Sequence, residues 1–370
     1  MPVTERDDQL HMARALELAA RGRGLTSPNP MVGAVVVRDG QVVGEGFHRR
    51  AGSEHAEIEA LARAGAQARG ATLYVALEPC VHQGRTPPCA PVLLESGLSR
   101  VVVAVLDPNP KVNGRGVQAL REAGVSVTVG VLGEEARALN RVFFTYMLRA
   151  RPFVTMKAAM TLDGKIAAWD RSSRWISGEE SRQVAHRMRA EADAIVVGIG
   201  TVLEDDPELT VRTGRDWPKE PYRIIVDSYL RLPLDARLFS AGTRSRILVA
   251  TTDLASQDRV DALQGREVPV LACPARDGRV DLVALTKRLA EMDITTLLLE
   301  GGSSLNAAFL EASLVDRVVF FVAPKIVGGA RALGPVGGDG RSLKEAFRVA
   351  NLSVRSVGDD LLVEGDIEYE

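Results

Sequence analysis

His55 and Glu57 stand in the triplet His55-Ala56-Glu57. Cys80 closes Glu78-Pro79-Cys80, and Cys89 closes Thr86-Pro87-Pro88-Cys89. One imidazole and two thiolates form the ligand set that zinc prefers, and three protein ligands leave the fourth tetrahedral position open. Glu57, two residues past His55, is close enough to meet whatever fills that position. Zinc lowers the pKa of bound water from ~15.7 to about 7, where a carboxylate can move its proton at neutral pH. The chemistry on offer is metal-assisted hydrolysis.

Zinc deaminases carry H-x-E followed by P-C-x-x-C. This chain has the first part and Pro79-Cys80, but its second thiolate comes after the insertion Val81-His82-Gln83-Gly84-Arg85-Thr86-Pro87-Pro88. The chain holds 3 cysteines, and two of them lie beside this His-Ala-Glu. A closed structural site would need a fourth ligand, which His82 could supply.

The elements around these residues read as alternating α/β. Leu10, Ala13, Leu16 and Ala20 recur at helical spacing over 7–21. Pro28 and Pro30 impose an extended loop around Asn29, followed by a buried strand over 32–37. Asp39-Gly40 is a hairpin signal leading into a strand that ends at His48. A helix over 54–64 carries His55 and Glu57 near its start, a strand over 71–77 precedes Cys80, and Cys89 opens another helix. Both thiolates are thus expected where backbone N–H groups stabilise negative sulfur. A buried strand from Val101 then leads into a loop containing Asn109, at the sheet edge where α/β proteins bind ligands. A helix (116–123), a strand (125–129) and a helix (134–148) complete a three-layer domain.

No long linker separates the second half. A strand follows Pro152, Asp163-Gly164 turns into a second extended segment, and 178–191 forms a helix bearing Arg182, Arg187 and Arg189. Gly198 and Gly200 give only G-x-G, short of the dinucleotide fingerprint. At 294–309 an apolar strand ends in Glu300, Gly301-Gly302 turn, and Ser303-Ser304 open a helix. That arrangement suits a phosphate held by helical N–H groups. The strands expected last are 317–323, 347–353 and 359–366, the final two an antiparallel edge. Residues 231–290 carry no motif.

The 370 residues suggest two domains. Hydrophobic content of 46% and charged content of 25% are those of a globular protein. A net charge of −2 argues against nucleic acid as a partner. Few cysteines, a charged start and no run of ~18 apolar residues lead to the expectation of a cytoplasmic protein with no membrane partner.

Residues 1–148 resemble a cytidine-deaminase-like domain. The segments TSPNPMVG, HAE and EPCVHQGRTPPC are similar to the deaminase half of the bifunctional riboflavin-biosynthesis deaminase/reductases (RibD type). Residues 152–367 resemble the reductase half, with a dihydrofolate-reductase-like fold, through KAAMTLDGK, SRWIS, GTVLEDDPELTVR, VDS and LEGGSSLN. The division implied is 1–148 for a zinc-dependent pyrimidine deaminase and 149–370 for an NADPH-dependent reductase. The resemblance implies Zn2+ and NADPH as cofactors, a phosphorylated pyrimidine as substrate, and a homo-oligomer. It makes Glu57 the proton shuttle and Asn29, His48, Arg85 and Asn109 substrate contacts. In the reductase it implies that Lys157, Ser173, Arg189, Leu209, Arg212 and Glu300 meet substrate. Lys157 would polarise the opening ribose, and the arginines suit a 5′-phosphate. Ala159, Trp175, Thr201, Asp205, Ser228, Gly302, Ser303, Ser304, Leu305, Asn306, Ala307 and Ala308 would meet NADP. A nucleic-acid base deaminase is the rival reading. It predicts a basic face and the short cysteine spacing, which this chain lacks. A closed zinc module joined to a cofactor-binding regulator would instead make Glu57 dispensable.

Overall fold

The computed structural model describes residues 4–81, 87–214, 217–242 and 246–369. They form two compact units, Met1–Ala150 and Arg151–Glu370.

In the first unit the order is α1 (Glu5–Ala20), β1 (Gly33–Arg38), β2 (Gln41–Phe47), α2 (Ala56–Ala64), β3 (Thr72–Val75) and α3 (Cys89–Glu95). There follow β4 (Arg100–Val103), α4 (Arg115–Glu122), β5 (Ser126–Val129), α5 (Gly133–Leu139) and α6 (Arg141–Arg149). The sheet runs β2-β1-β3-β4-β5, with β1 antiparallel to both neighbours and β3, β4 and β5 parallel. Strand alternation divides the core into two layers. Val36, Leu73, Val75 and Val101 pack with Ala60 of α2 and Leu120 of α4. Val35, Tyr74 and Val102 pack with Met12 of α1 and Phe143 of α6. The Asp39-Gly40 turn takes positive φ at both residues (52° and 78°), as a tight hairpin of this twist requires. Gly46 lets α2 lie directly on β2, since a Cβ there would sit 2.3 Å from the Ala56 carbonyl oxygen.

The helix expected over 134–148 is two helices, broken at Asn140. The Asn140 side chain is buried and takes both sides of the Met31 peptide. It accepts from Met31 N at 2.8 Å and donates to Met31 O at 2.9 Å. The break thus moors the loop that carries Asn29.

The second unit runs β6 (Phe153–Thr161), α7 (Glu179–Glu191), β7 (Ala194–Gly198), α8 (Ile199–Asp205), β8 (Tyr222–Val226), β9 (Ile247–Thr251), α9 (Gln257–Gln264) and β10 (Val270–Ala272). A small hairpin of β11 (Ala275–Arg276) and β12 (Arg279–Val280) precedes α10 (Leu282–Glu291), β13 (Thr296–Leu299), α11 (Ser303–Glu311), β14 (Arg317–Ala323), β15 (Arg348–Val357) and β16 (Asp360–Glu368). The large sheet is ordered β10-β9-β8-β7-β13-β6-β14-β16-β15. It is parallel from β10 to β14, and β16 is antiparallel to both its neighbours. One face packs Leu285, Leu289 and Phe309 of α10 and α11, and the other packs Val202 of α8 and Leu263 of α9. The second extended segment expected after Asp163-Gly164 does not pair into a strand. Residues 165–177 run as a loop, with Ile166 N bonded to Leu333 O at 2.8 Å instead of to a strand.

Candidate active sites

His55 is the N-cap residue of α2, Cys80 sits in the turn after β3, and Cys89 opens α3. Their ligand atoms all lie within 4.8 Å of one another. His55 Nδ1 stands 2.8 Å from Cys89 Sγ and 3.5 Å from Cys80 Sγ, and the two sulfurs are 3.6 Å apart. Donors ~2.0–2.3 Å from one zinc ion stand roughly 3.3–3.8 Å apart at tetrahedral angles. The two separations that involve Cys80 fall in that range, and the His55–Cys89 pair is closer by about half an ångström, so the donor types and their convergence suit the metal once that pair opens slightly. The Cys89 backbone N–H donates to Cys80 Sγ at 3.3 Å, as expected for a thiolate beside a helix start. The Cys89 thiol and the His55 imidazole together hold Cys80 well below an ordinary thiol pKa. Glu57, in the first turn of α2, is buried, and burial pushes its carboxyl up.

His48 follows β2 directly and is buried, its ring 5.6 Å from that of His55. Its Nδ1 is 3.0 Å from the Glu54 carbonyl oxygen, and Asn29 Nδ2 is 3.1 Å from its Nε2. Burial lowers its pKa. Asn109 lies in the loop after β4, where its Oδ1 accepts from Lys111 N at 3.0 Å and its backbone N–H donates to Asp107 Oδ1 at 2.8 Å. Arg85 and His82 lie outside the described residues.

In the second unit Lys157, Ser173, Arg189, Leu209, Arg212 and Glu300 line one cavity of about 550 Å³, and Ala159, Trp175, Thr201 and Asp205 line it too. The cavity opens along the carboxyl ends of the parallel strands, where Glu300 directly follows β13 and Thr201 lies in α8, just past β7. Arg189 grips Glu300 through Nε at 2.6 Å and Nη2 at 2.9 Å, and Lys157 Nζ adds 3.4 Å. Burial opposes the charge on Glu300, but Arg189 and Lys157 override it and hold the carboxyl far below its usual range. Arg212 is more exposed and pairs with Glu208 at 3.0 Å. Ser173 Oγ donates to Asp205 Oδ1 at 2.8 Å.

The Gly302–Ala308 turn divides. A Cβ on Gly302 would meet Thr201 Oγ1 at 3.3 Å, which puts the start of α11 against the cavity wall. Ser303 and Ser304 follow in its first turn, while Leu305 and Ala308 pack on the core and Asn306 and Ala307 are buried. Asn306 Nδ2 donates to Pro335 O at 2.8 Å. Ser228 Oγ accepts from Val280 N at 3.1 Å, in the loop after β8.

Sequence reasoning passed over Glu78, Asn140 and His186. His186 lines the reductase cavity beside Arg212, whose backbone N is 3.3 Å from its Nδ1. The only available signals were a glutamate next to Pro79-Cys80 and a histidine one helical turn before Arg189.

One α/β unit thus presents a His/Cys/Cys donor set beside a buried glutamate, the chemistry of a metal-dependent hydrolase, and the other presents a cleft of about 550 Å³. Residues 5–105 match the cytidine and deoxycytidylate deaminase zinc-binding region, and residues 152–363 match the RibD C-terminal domain. The riboflavin biosynthesis protein RibD of Aquifex aeolicus is 46% identical over 356 residues, covering 96% of this chain and 97% of that protein. That of Escherichia coli is 40% identical over 366 residues, covering 96% and 98%. The solved structure of Acinetobacter baumannii RibD superposes with a TM-score of 0.89 at 37% identity, covering 99% of this chain and 100% of that one. The chain belongs to the RibD family of riboflavin-biosynthesis enzymes. It catalyses zinc-dependent hydrolytic deamination of 2,5-diamino-6-ribosylamino-4(3H)-pyrimidinone 5′-phosphate. NADPH-dependent reduction of the ribosyl group to ribityl follows. Among the described residues no helix is long and apolar enough to cross a membrane.

Proposed function

We propose the following division of roles among the residues of the two sites. His55, Cys80 and Cys89 hold zinc, and Glu57 moves the protons of deamination. The convergence of the three donors beside a buried glutamate carries this reading. Zinc held by these donors would supply Lewis acidity. Glu57 takes a proton from water at its carboxylate and returns it to the departing amine, so ring C–N is exchanged for C–O and ammonia leaves. A carboxyl raised by burial suits a group that must both accept and give back a proton. Asn29, His48 and Asn109 orient the pyrimidine, and Arg85 completes the contacts.

In the reductase, Ala159, Trp175, Thr201, Asp205, Ser228 and the turn from Gly302 to Ala308 would hold NADPH, which would supply the hydride. Lys157, held by Glu300, polarises the opened sugar. Ser173, Leu209, Arg189 and Arg212 bind the rest of the substrate, with Arg212 the better placed for phosphate because Arg189 is committed to Glu300. The division of activities falls at 148/149. We also propose a cytoplasmic homo-oligomer, a reading supported by exposed Val349, Leu352 and Val354 on edge strand β15. Incubation with the diaminopyrimidine phosphate, read by product mass, tests the scheme. A gain of one unit without NADPH and of two more with it is expected, and any other pair of shifts refutes the order of steps.

A further inference from the structure

We propose that Glu78 is a positioning residue of the deaminase site. Its carboxylate latches the loop that carries Asn109 to the turn that carries Cys80, so that the ligand-holding and substrate-reading segments keep one fixed spacing. The proposal rests on the reading of Asn109 as a substrate contact.

Glu78 lies two residues before Cys80 and is buried, and its carboxylate is met by main-chain donors where a buried acid usually takes an arginine or lysine. Four backbone N–H groups take that place. Oε2 accepts from Asp107 N at 3.2 Å and from Gly114 N at 2.8 Å. Oε1 accepts from Gly116 N at 2.9 Å and from Val117 N at 3.1 Å. The two contacts on Oε2 come from the two ends of the loop 107–114, so one oxygen draws that loop closed. Inside it, Asp107 Oδ1 holds the Asn109 N–H, continuing the path from Glu78 to the substrate-facing segment. The contacts on Oε1 come from the first turn of α4, whose unpaired N–H groups and dipole favour a carboxylate. On the other side, Glu78 N donates to Val105 O at 3.0 Å, which fixes the carboxylate relative to the sheet.

The packing is as close as the hydrogen bonding. A Cβ on Gly116 would lie 2.1 Å from the Pro79 carbonyl oxygen and 3.2 Å from Glu78 Cγ. The start of α4 therefore rests on the Glu78-Pro79-Cys80 turn itself, and only glycine permits that approach. A helix cap alone would need the two contacts on Oε1. The pair on Oε2 serves the loop.

The test uses full-length, zinc-loaded Glu78→Gln, in which an amide NH2 replaces one acceptor and faces donors it cannot satisfy. Zinc content and reductase rate should match wild type. The deaminase KM should rise about tenfold or more, with kcat falling less, because substrate positioning is what loosens. In a double-mutant cycle, Asn109→Ala should add little to Glu78→Gln. Multiplying effects would overturn the proposal, as would loss of zinc, or a normal KM in Glu78→Gln where Asn109→Ala alone raises it. If Asn109→Ala is silent while Glu78→Gln raises KM, the latch stands and another residue of 107–114 is the contact. Gly116→Ala is the independent variant, since it keeps the carboxylate chemically intact while driving α4 off Pro79 and crowding Glu78 Cγ and Oε1, each 3.2 Å from the new Cβ. It should give the same KM-weighted defect, and a normal deaminase KM there would overturn the proposal.

Discussion

Asn29 donates to His48, and the bond has only one sense. His48 Nδ1 faces the Glu54 carbonyl oxygen, which can only accept, so Nδ1 carries the proton and Nε2 is bare. Asn29 must therefore present its NH2 to Nε2, leaving Oδ1 for a ligand. Asn29→Asp keeps the size but removes the donor and sets an anion against a lone pair. The deaminase KM should rise about tenfold or more at unchanged zinc content. A normal KM would mean that this pair does not orient substrate.

Glu57→Gln removes the proton carrier and replaces none of the three metal donors. Zinc should remain bound while deamination falls by ~10²-fold or more, the usual contribution of a general acid/base. Near-normal turnover in the zinc-loaded variant would sink the mechanism and favour a closed structural site.

Arg189 and Arg212 should behave differently. Arg212→Ala removes one charge-assisted contact, worth ~1.5–3 kcal/mol, so the reductase KM for phosphorylated substrate should rise about ten- to hundredfold. Arg189→Ala also strands the buried Glu300, leaving it Lys157 alone, and should cost ~3–5 kcal/mol of stability. Equal melting temperatures for the two variants would contradict this distinction. A fall in NADPH affinity with substrate KM intact would mean that the arginines serve the cofactor.

His186 sets a pH dependence. Burial, then Arg189 and Arg212, lower its pKa from 6.5 to about 4, with Lys157 acting the same way and Glu300 against. The unfolded chain binds that proton more readily. Stability from the neutral ring is therefore complete above ~6.5 and is lost as pH falls toward about 4. Urea midpoints of wild type and His186→Asn should converge as pH drops from 7 to about 4.5. A difference independent of pH would refute the assignment.

Chelating zinc from the intact protein should stop deamination and spare reduction of supplied deaminated substrate. The donors lie at 55, 80 and 89, and every proposed NADP contact lies after 158. Loss of both reactions in a still-folded chain would refute the division of labour.

Chemistry carried by residue type was readable before any fold was known. The His-Ala-Glu triplet and the two cysteines implied a metal site, and short apolar strands alternating with helices implied a three-layer sheet covered on both faces. What escaped were contacts made at long range by polar groups with no local pattern. Glu78 serves N–H groups 29 to 39 residues away, and Asn140 serves Met31 from 109 residues away. The apolar spacing of Ala136, Leu139 and Phe143 suits one continuous helix, and only the claim of Met31 on Asn140 explains the break. Residues 231–290, silent as motif, supply β9, β10 and their helices, which extend the sheet without lining the cavity.

The Asn140–Met31 clasp also orders events on the ribosome. The Asn29 loop emerges early, but the carboxamide that moors it is made 109 residues later. At ~5–20 residues per second, that gap is roughly 5–20 s. All three donors at 55, 80 and 89 have been synthesised before Asn140. The nascent chain therefore acquires the means to capture metal before it acquires a settled place for the pyrimidine.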